Sequence, residues 1–123
     1  MAAPDSLIVE RPSSDIVVLK INRPQVRNAL NLDVRTRLAE EVTRCGADNA
    51  VRCVIVTGSD VAFAAGADIG EFRRMRADPA LAREYDEGAN ETLAVLADLP
   101  VPSIAMIDGA CMGGGCLIAF GCD

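Results

Sequence analysis

Two short stretches of this chain have residue types and spacing that can do chemistry with main-chain atoms alone. In Asp108-Gly109-Ala110-Cys111-Met112-Gly113-Gly114-Gly115-Cys116-Leu117, three consecutive glycines separate a strand-like run, Ser103 to Ile107, from an apolar segment that can open a helix. Glycines there let backbone N–H groups approach a ligand atom with no Cβ in the way. At a helix N-terminus those N–H groups lack an internal partner, and the dipole favours negative charge. The second stretch, Ala62-Phe63-Ala64-Ala65-Gly66-Ala67-Asp68-Ile69, begins a few residues past another apolar strand, Cys53 to Thr57. Adjacent parallel strands end on one sheet edge, where α/β proteins bind ligands. The N–H groups of Ala67 and Gly114 can then point at one carbonyl oxygen. Such a pair stabilises an enolate or tetrahedral oxyanion, and losing one donor typically costs roughly 3–4 kcal/mol of barrier. Taken singly, each stretch also reads as a plain tight turn.

Composition removes several other chemistries. The 123 residues allow one domain, 1–123, and half of them are apolar, as in a globular chain. There is no histidine, which excludes every Ser–His and Cys–His nucleophile arrangement within the chain. The five cysteines (Cys45, Cys53, Cys111, Cys116, Cys122) form no C-x-x-C pair. They read as small buried hydrophobes in a reducing cytoplasm, with no metal site expected. A net charge of −6 argues against nucleic acid as a partner. No apolar run reaches the roughly 18 residues of a membrane span, and the first residues lack the features of a secretory signal. Phosphate-binding patterns of the G-x-x-x-x-G-K-[ST] and G-x-G-x-x-G type are absent, which disfavours an unrelated nucleotide-binding domain.

The elements that must position the two turns follow from periodicity. Leu7 to Arg11 and Ile16 to Asn22 read as two strands joined by a turn, the second a nearly continuous β-branched run suited to burial on both faces. Asn31 is an N-cap candidate for an amphipathic helix with Val34, Leu38, Val42 and Cys45 on its stripe, ending near Gly46. Asp68 can cap a short helix through about Arg76, and Asp78-Pro79 starts a long one. Leu81, Tyr85, Ala89, Leu93 and Leu96 mark the apolar face of that long helix, which stops before Pro100. Apolar strands alternating with helices predict crossover units and a largely parallel sheet.

Asn22-Arg23-Pro24 with Asn28-Ala29-Leu30, then Ala62 to Ile69, then Gly109 to Cys116 and Cys122-Asp123 together resemble the enoyl-CoA hydratase/isomerase (crotonase) family. The motifs stand in the family's order and span essentially the whole chain. The resemblance implies an α/β fold, a crotonase-like spiral of ββα units, truncated before the C-terminal helices. It implies an acyl-CoA substrate with coenzyme A as part of it, no permanently bound cofactor, no membrane, and a homotrimer or hexamer in the full-length form, acting in cytoplasmic fatty acid metabolism. It also places the thioester-binding N–H groups at Ala67 and Gly114. The segment Ala65, Gly66, Ala67, Asp68, Ile69 and Gly70 would line the adenine and pantetheine end, with Arg27 near the CoA phosphates.

Two departures from the family pattern stand out. Family hydratases carry a glutamate one residue after the Gly-Gly-Gly-Cys run, where this chain has Leu117, which cannot move a proton. The second family glutamate lies further downstream than Asp123. No general base is therefore evident. Asp68 and Glu71 read as first-turn helix residues, Asp108 and Asp123 as turn-closing residues. Arg73, Arg74 and Arg76 can contact CoA or form a solvated face, and Tyr85 reads as core. Leu117 favours a one-base Δ3,Δ2-enoyl-CoA isomerisation over hydration. The alternative is a non-catalytic fragment that binds CoA or associates with full-length subunits, exposing apolar surface on the Leu93/Leu96 face.

Overall fold

A computed structural model describes residues 5–123. Strands β1 (Leu7–Ser13) and β2 (Ile16–Ile21) form an antiparallel hairpin in which Leu7 faces Ile21, with an irregularity between Glu10 and Ser13. A single 3-10 turn, Pro24–Val26, leads to helix α1 (Leu32–Ala47). Strand β3 (Cys53–Gly58) and the short β4 (Ala62–Ala64) precede helices α2 (Ile69–Arg76) and α3 (Pro79–Asp98). Strand β5 (Ser103–Met106), the two-residue β6 (Ala110–Cys111) and helix α4 (Gly114–Gly121) complete the chain. The order is three successive strand–strand–helix units, the second carrying an extra helix.

The main sheet runs β1-β2-β3-β5, with β2, β3 and β5 mutually parallel. The expected parallel sheet is present, edged by one antiparallel strand. Burial along β2 alternates: Val17, Leu19 and Ile21 face the core while Ile16, Val18 and Lys20 are half-exposed. This corrects the expectation of a strand covered on both faces. The β-branched run hides a period of two because Ile and Val stand on both sides, and only Lys20 betrays the second face. Helix α1 packs on β2 and against α3, and the core gathers Leu19, Ile21, Leu30, Leu38, Val54, Val56 and Phe63.

The helix starts are set locally, as the capping residues predict. Asn31 accepts from the Val34 N–H, Asp68 from the Glu71 N–H, and Asp78 from the Ala80 and Leu81 N–H groups. Two side-chain placements differ from expectation. On α3 the buried residues are Tyr85, Thr92 and Leu96, while Leu81 is exposed. A run of exposed apolar side chains lies on β5, on the loop after it, on the turn before α4 and on α4 itself (Ile104, Met106, Ile107, Met112, Leu117, Phe120), not on the Leu93/Leu96 face. Among the cysteines only Cys45 is buried and the other four are half-buried, so the reading of all five as core residues is too strong. Among the described residues no helix is long and apolar enough to cross a membrane.

Candidate functional site

The two glycine turns are brought together by a second sheet that the sequence reading did not contain. Strands β4 and β6 pair in parallel, Ala62 opposite Ala110 and Ala64 opposite Cys111, and the Met112 N–H donates to the Ala64 carbonyl at 3.0 Å. The segments leaving their C-terminal ends, Ala65-Gly66-Ala67 and Met112-Gly113-Gly114, therefore run side by side. A Cβ placed on Gly113 would lie 3.7 Å from the Gly66 Cα, and one on Gly66 would lie 3.3 Å from the Met112 carbonyl oxygen. Both glycines have positive φ, +104° at Gly66 and +51° at Gly113, so a side chain is strained at either, and at Gly66 it is crowded as well.

Around Ala67 the backbone directions follow from its partners. Leu30 forms a parallel bridge to it, its N–H donating to the Gly66 carbonyl at 2.7 Å and its carbonyl accepting from the Asp68 N–H at 3.2 Å. Backbone groups alternate sides along an extended segment, so the Ala67 N–H points away from Leu30. Gly114 is the first residue of α4, where no intrahelical acceptor exists for its N–H. The turn before it is closed by neighbours instead: the Gly115 N–H donates to the Met112 carbonyl at 2.8 Å, and the Cys116 thiol to the Cys111 carbonyl at 3.0 Å. The N–H groups of Ala67 and Gly114 have no acceptor among the described residues. Burial, then the contact with Cys116, pushes the Cys111 thiol up, so this sulfur stays protonated near neutral pH.

The third glycine has a different task. A Cβ on Gly115 would lie 2.8 Å from the Ala64 carbonyl oxygen and 2.9 Å from the Ala64 Cβ. Helix α4 is thus seated directly on β4.

Charged residues near the first turn are occupied structurally. Arg23 donates to the Asp68 carboxylate at 3.1 Å and to the Ala29 carbonyl at 2.8 Å. The Glu71 N–H foremost, with Arg23 beside it, holds the Asp68 carboxyl below the usual carboxylate range. Glu71 accepts from the Leu32 N–H at 2.7 Å, tying the start of α1 to α2. Arg27 is exposed, and its carbonyl accepts from the Ala65 N–H at 3.1 Å, which seats it beside the 65–70 segment. Ile69 and Gly70 are exposed on that segment.

Two residues of the site region went unassigned by sequence reasoning. Asn28 is fully buried with a φ of +58°. Its amide donates to the Ser59 and Ala62 carbonyls at 2.8 and 2.7 Å and accepts from the Arg23 N–H at 2.8 Å. It ties the Asn-Arg-Pro segment to the β3–β4 turn. Arg35 is 7% exposed, stacks 4.7 Å from the centre of the Tyr85 ring, and forms no salt bridge among the described residues. Its signal was available: it stands three and four residues before the buried Leu38 and Ala39, a stripe position that an apolar residue normally fills. With Leu30, Ala89, Thr92, Leu93, Gly114, Leu117 and Ile118 it lines a small, half-open cavity of about 30 Å³.

Comparison with known proteins agrees with this geometry. The chain is 37% identical to a crotonyl-CoA hydratase of Syntrophomonas wolfei over 120 residues, 97% of this chain and 45% of the relative. It is 35% identical to a short-chain-enoyl-CoA hydratase of Clostridium acetobutylicum over 120 residues, again 97% and 45% of the two chains. The crystal structure of an enoyl-CoA hydratase/carnithine racemase from Magnetospirillum magneticum superposes with a TM-score of 0.92 at 38% identity, covering 98% of this chain and 45% of that one. The chain thus spans less than half the length of the curated relatives it matches, and its three strand–strand–helix units are the front of a crotonase-like spiral. A family model described as enoyl-CoA hydratase/isomerase matches residues 11–123, and the chain belongs to that family.

Proposed function

We propose that this chain supplies the thioester-binding part of an acyl-CoA enzyme, in which the Ala67 and Gly114 N–H groups hold the thioester oxygen as it becomes an enolate oxyanion. The observation that supports the reading is the close approach of Gly66 and Gly113, each the residue just before an N–H group that has no acceptor among the described residues. Such donors are worth most where negative charge develops and water is excluded. Ala65 to Gly70, with Arg27 beside them, form the CoA-binding edge, and coenzyme A enters as part of the substrate rather than as a resident cofactor. Leu117 carries no proton, so the chemistry favoured is proton transfer between two carbons by a single base, as in a Δ3,Δ2-enoyl-CoA isomerase, over addition of water. The longer protein is read as a cytoplasmic trimer or hexamer.

The test separates carbonyl recognition from CoA recognition. Butyryl-CoA and its thioether analogue S-butyl-CoA differ in the carbonyl that the two N–H groups would hold. Calorimetric titration should show the thioester binding more tightly by about 2 kcal/mol, roughly thirtyfold, for two hydrogen bonds of ordinary strength. Equal affinities would mean that Ala67 and Gly114 do not act on a carbonyl.

A further inference from the structure

Two of the five cysteines meet at the turn that carries the Gly114 donor, and the oxyanion reading gives them no task. The Cys111 Sγ of β6 and the Cys116 Sγ in the first turn of α4 stand 4.0 Å apart, and the Cys116 thiol donates to the Cys111 carbonyl at 3.0 Å. Both residues are half-buried, so a small reagent can reach them. Bonded sulfurs stand about 2.0 Å apart, so joining this pair closes about 2 Å of separation across the turn. What side-chain rotation does not supply must come from the main chain, and the two flanks of the turn have little to give. The Met112 N–H is held by the Ala64 carbonyl at 3.0 Å, and the Gly115 N–H by the Met112 carbonyl at 2.8 Å. Gly115 also packs so closely on β4 that a Cβ there would lie 2.9 Å from the Ala64 Cβ. Gly113 and Gly114 lie between these anchors. Gly113 is exposed, and the Gly114 N–H bonds no acceptor among the described residues, so this dipeptide is the part of the turn free to shift.

We infer that Cys111 and Cys116 are a site of reversible oxidative modification, linked across the Gly-Gly-Gly turn by a small-molecule disulfide such as oxidised glutathione, and that the link turns the Gly114 N–H away from the thioester oxygen. The second half of the inference rests on the thioester reading of Ala67 and Gly114; the first half stands without it. The exchange balances in two steps. One cysteine thiolate attacks a sulfur of the small disulfide, forming a mixed disulfide and expelling one small thiolate. The other cysteine thiolate then attacks the cysteine sulfur of that mixed disulfide and expels the second. Two cysteine thiols are oxidised, one small disulfide is reduced to two thiols, and the protons given up by the cysteines are taken up by the expelled sulfurs. The bond formed is half-exposed and distorts its own turn, which makes it one that excess thiol reverses.

Oxidised glutathione on the intact folded chain tests both halves, in mildly alkaline solution because burial keeps the Cys111 thiol protonated near neutrality. Mass spectrometry after alkylation in denaturant should show the loss of two hydrogens and a cross-link between the Cys111 and Cys116 peptides, with Cys45, Cys53 and Cys122 outside the link. Five thiols left free, a stable mixed disulfide at Cys111 or Cys116, or a link to any other cysteine overturns the inference and leaves the thioester reading intact. The cross-linked protein is then titrated with butyryl-CoA and S-butyl-CoA. Its preference for the thioester should fall from roughly thirtyfold to roughly fivefold, one hydrogen bond of the two being lost, and dithiothreitol should restore it. In Cys116→Ser, treated alike, the preference should not move. A cross-linked protein that keeps the full preference, or a Cys116→Ser variant that loses it on treatment, overturns the effect on Gly114. A reduced protein with no preference overturns the thioester reading and that effect together, whereas the cross-link is decided by the mass spectrum alone.

Discussion

Replacing Asn28 removes the hub that joins the Asn-Arg-Pro segment to the β3–β4 turn, and the cost can be worked from its contacts. Truncation to alanine removes the amide partner of the Ala62 carbonyl and of the Arg23 N–H, at 2.7 and 2.8 Å, and leaves the Ser59 carbonyl with the Val61 N–H alone. An unsatisfied buried group costs about 1–3 kcal/mol, and two that share one site do not add in full, so a loss of about 3 kcal/mol is expected. The φ of +58° adds a second, separable contribution. Alanine there bears left-handed strain that glycine escapes, so Asn28→Gly should be the more stable of the two variants by about 1 kcal/mol. Urea unfolding followed by far-UV circular dichroism measures both. In thermal melts the alanine variant should fall by roughly 10–15 °C. A loss below about 1 kcal/mol would refute the hub, and an alanine variant as stable as the glycine variant would refute the strain contribution.

Gly115→Ala drives a methyl against the Ala64 backbone, which cannot swing aside as a side-chain tip would, so a loss of about 1–3 kcal/mol is expected; an unchanged melting temperature would show that α4 is not seated on β4. Asp68 has its carboxyl held below the usual range, so its contribution is complete above the unfolded value of about 4 and is lost as pH falls through the depressed folded value. Asp68→Asn should therefore flatten the acid limb of stability against pH below about 4, and parallel curves for the two proteins would contradict this. For the protein that carries this sequence, turnover of a 3-enoyl-CoA should exceed hydration of the matching 2-enoyl-CoA, with Leu117→Glu shifting the balance toward hydration; faster hydration by the unmodified protein would remove the isomerase reading.

Much of this chain is legible from nearest neighbours. Asn31, Asp68 and Asp78 start their helices because an oxygen two or three residues upstream satisfies an orphan N–H, an interaction that needs no tertiary structure. The strands β3 and β5 declare themselves as apolar runs between turn residues, and the Ala-Gly-Ala and Gly-Gly-Gly turns announce free main-chain donors. The tertiary structure alone decided the rest. Strands of three and two residues, Ala62–Ala64 and Ala110–Cys111, are too short to show a period, and they exist only because they pair with each other across the chain, Ala62 with Ala110 and Ala64 with Cys111, with an irregularity between the two pairs. That pairing sets the Gly66 and Gly113 backbones in contact. The burial of Arg35 was likewise decided in three dimensions, by α3 laying Tyr85 and Thr92 across α1. Caps and turns are energies of adjacent residues and can be read along the chain. A site is a meeting of distant ones, and its geometry comes from packing.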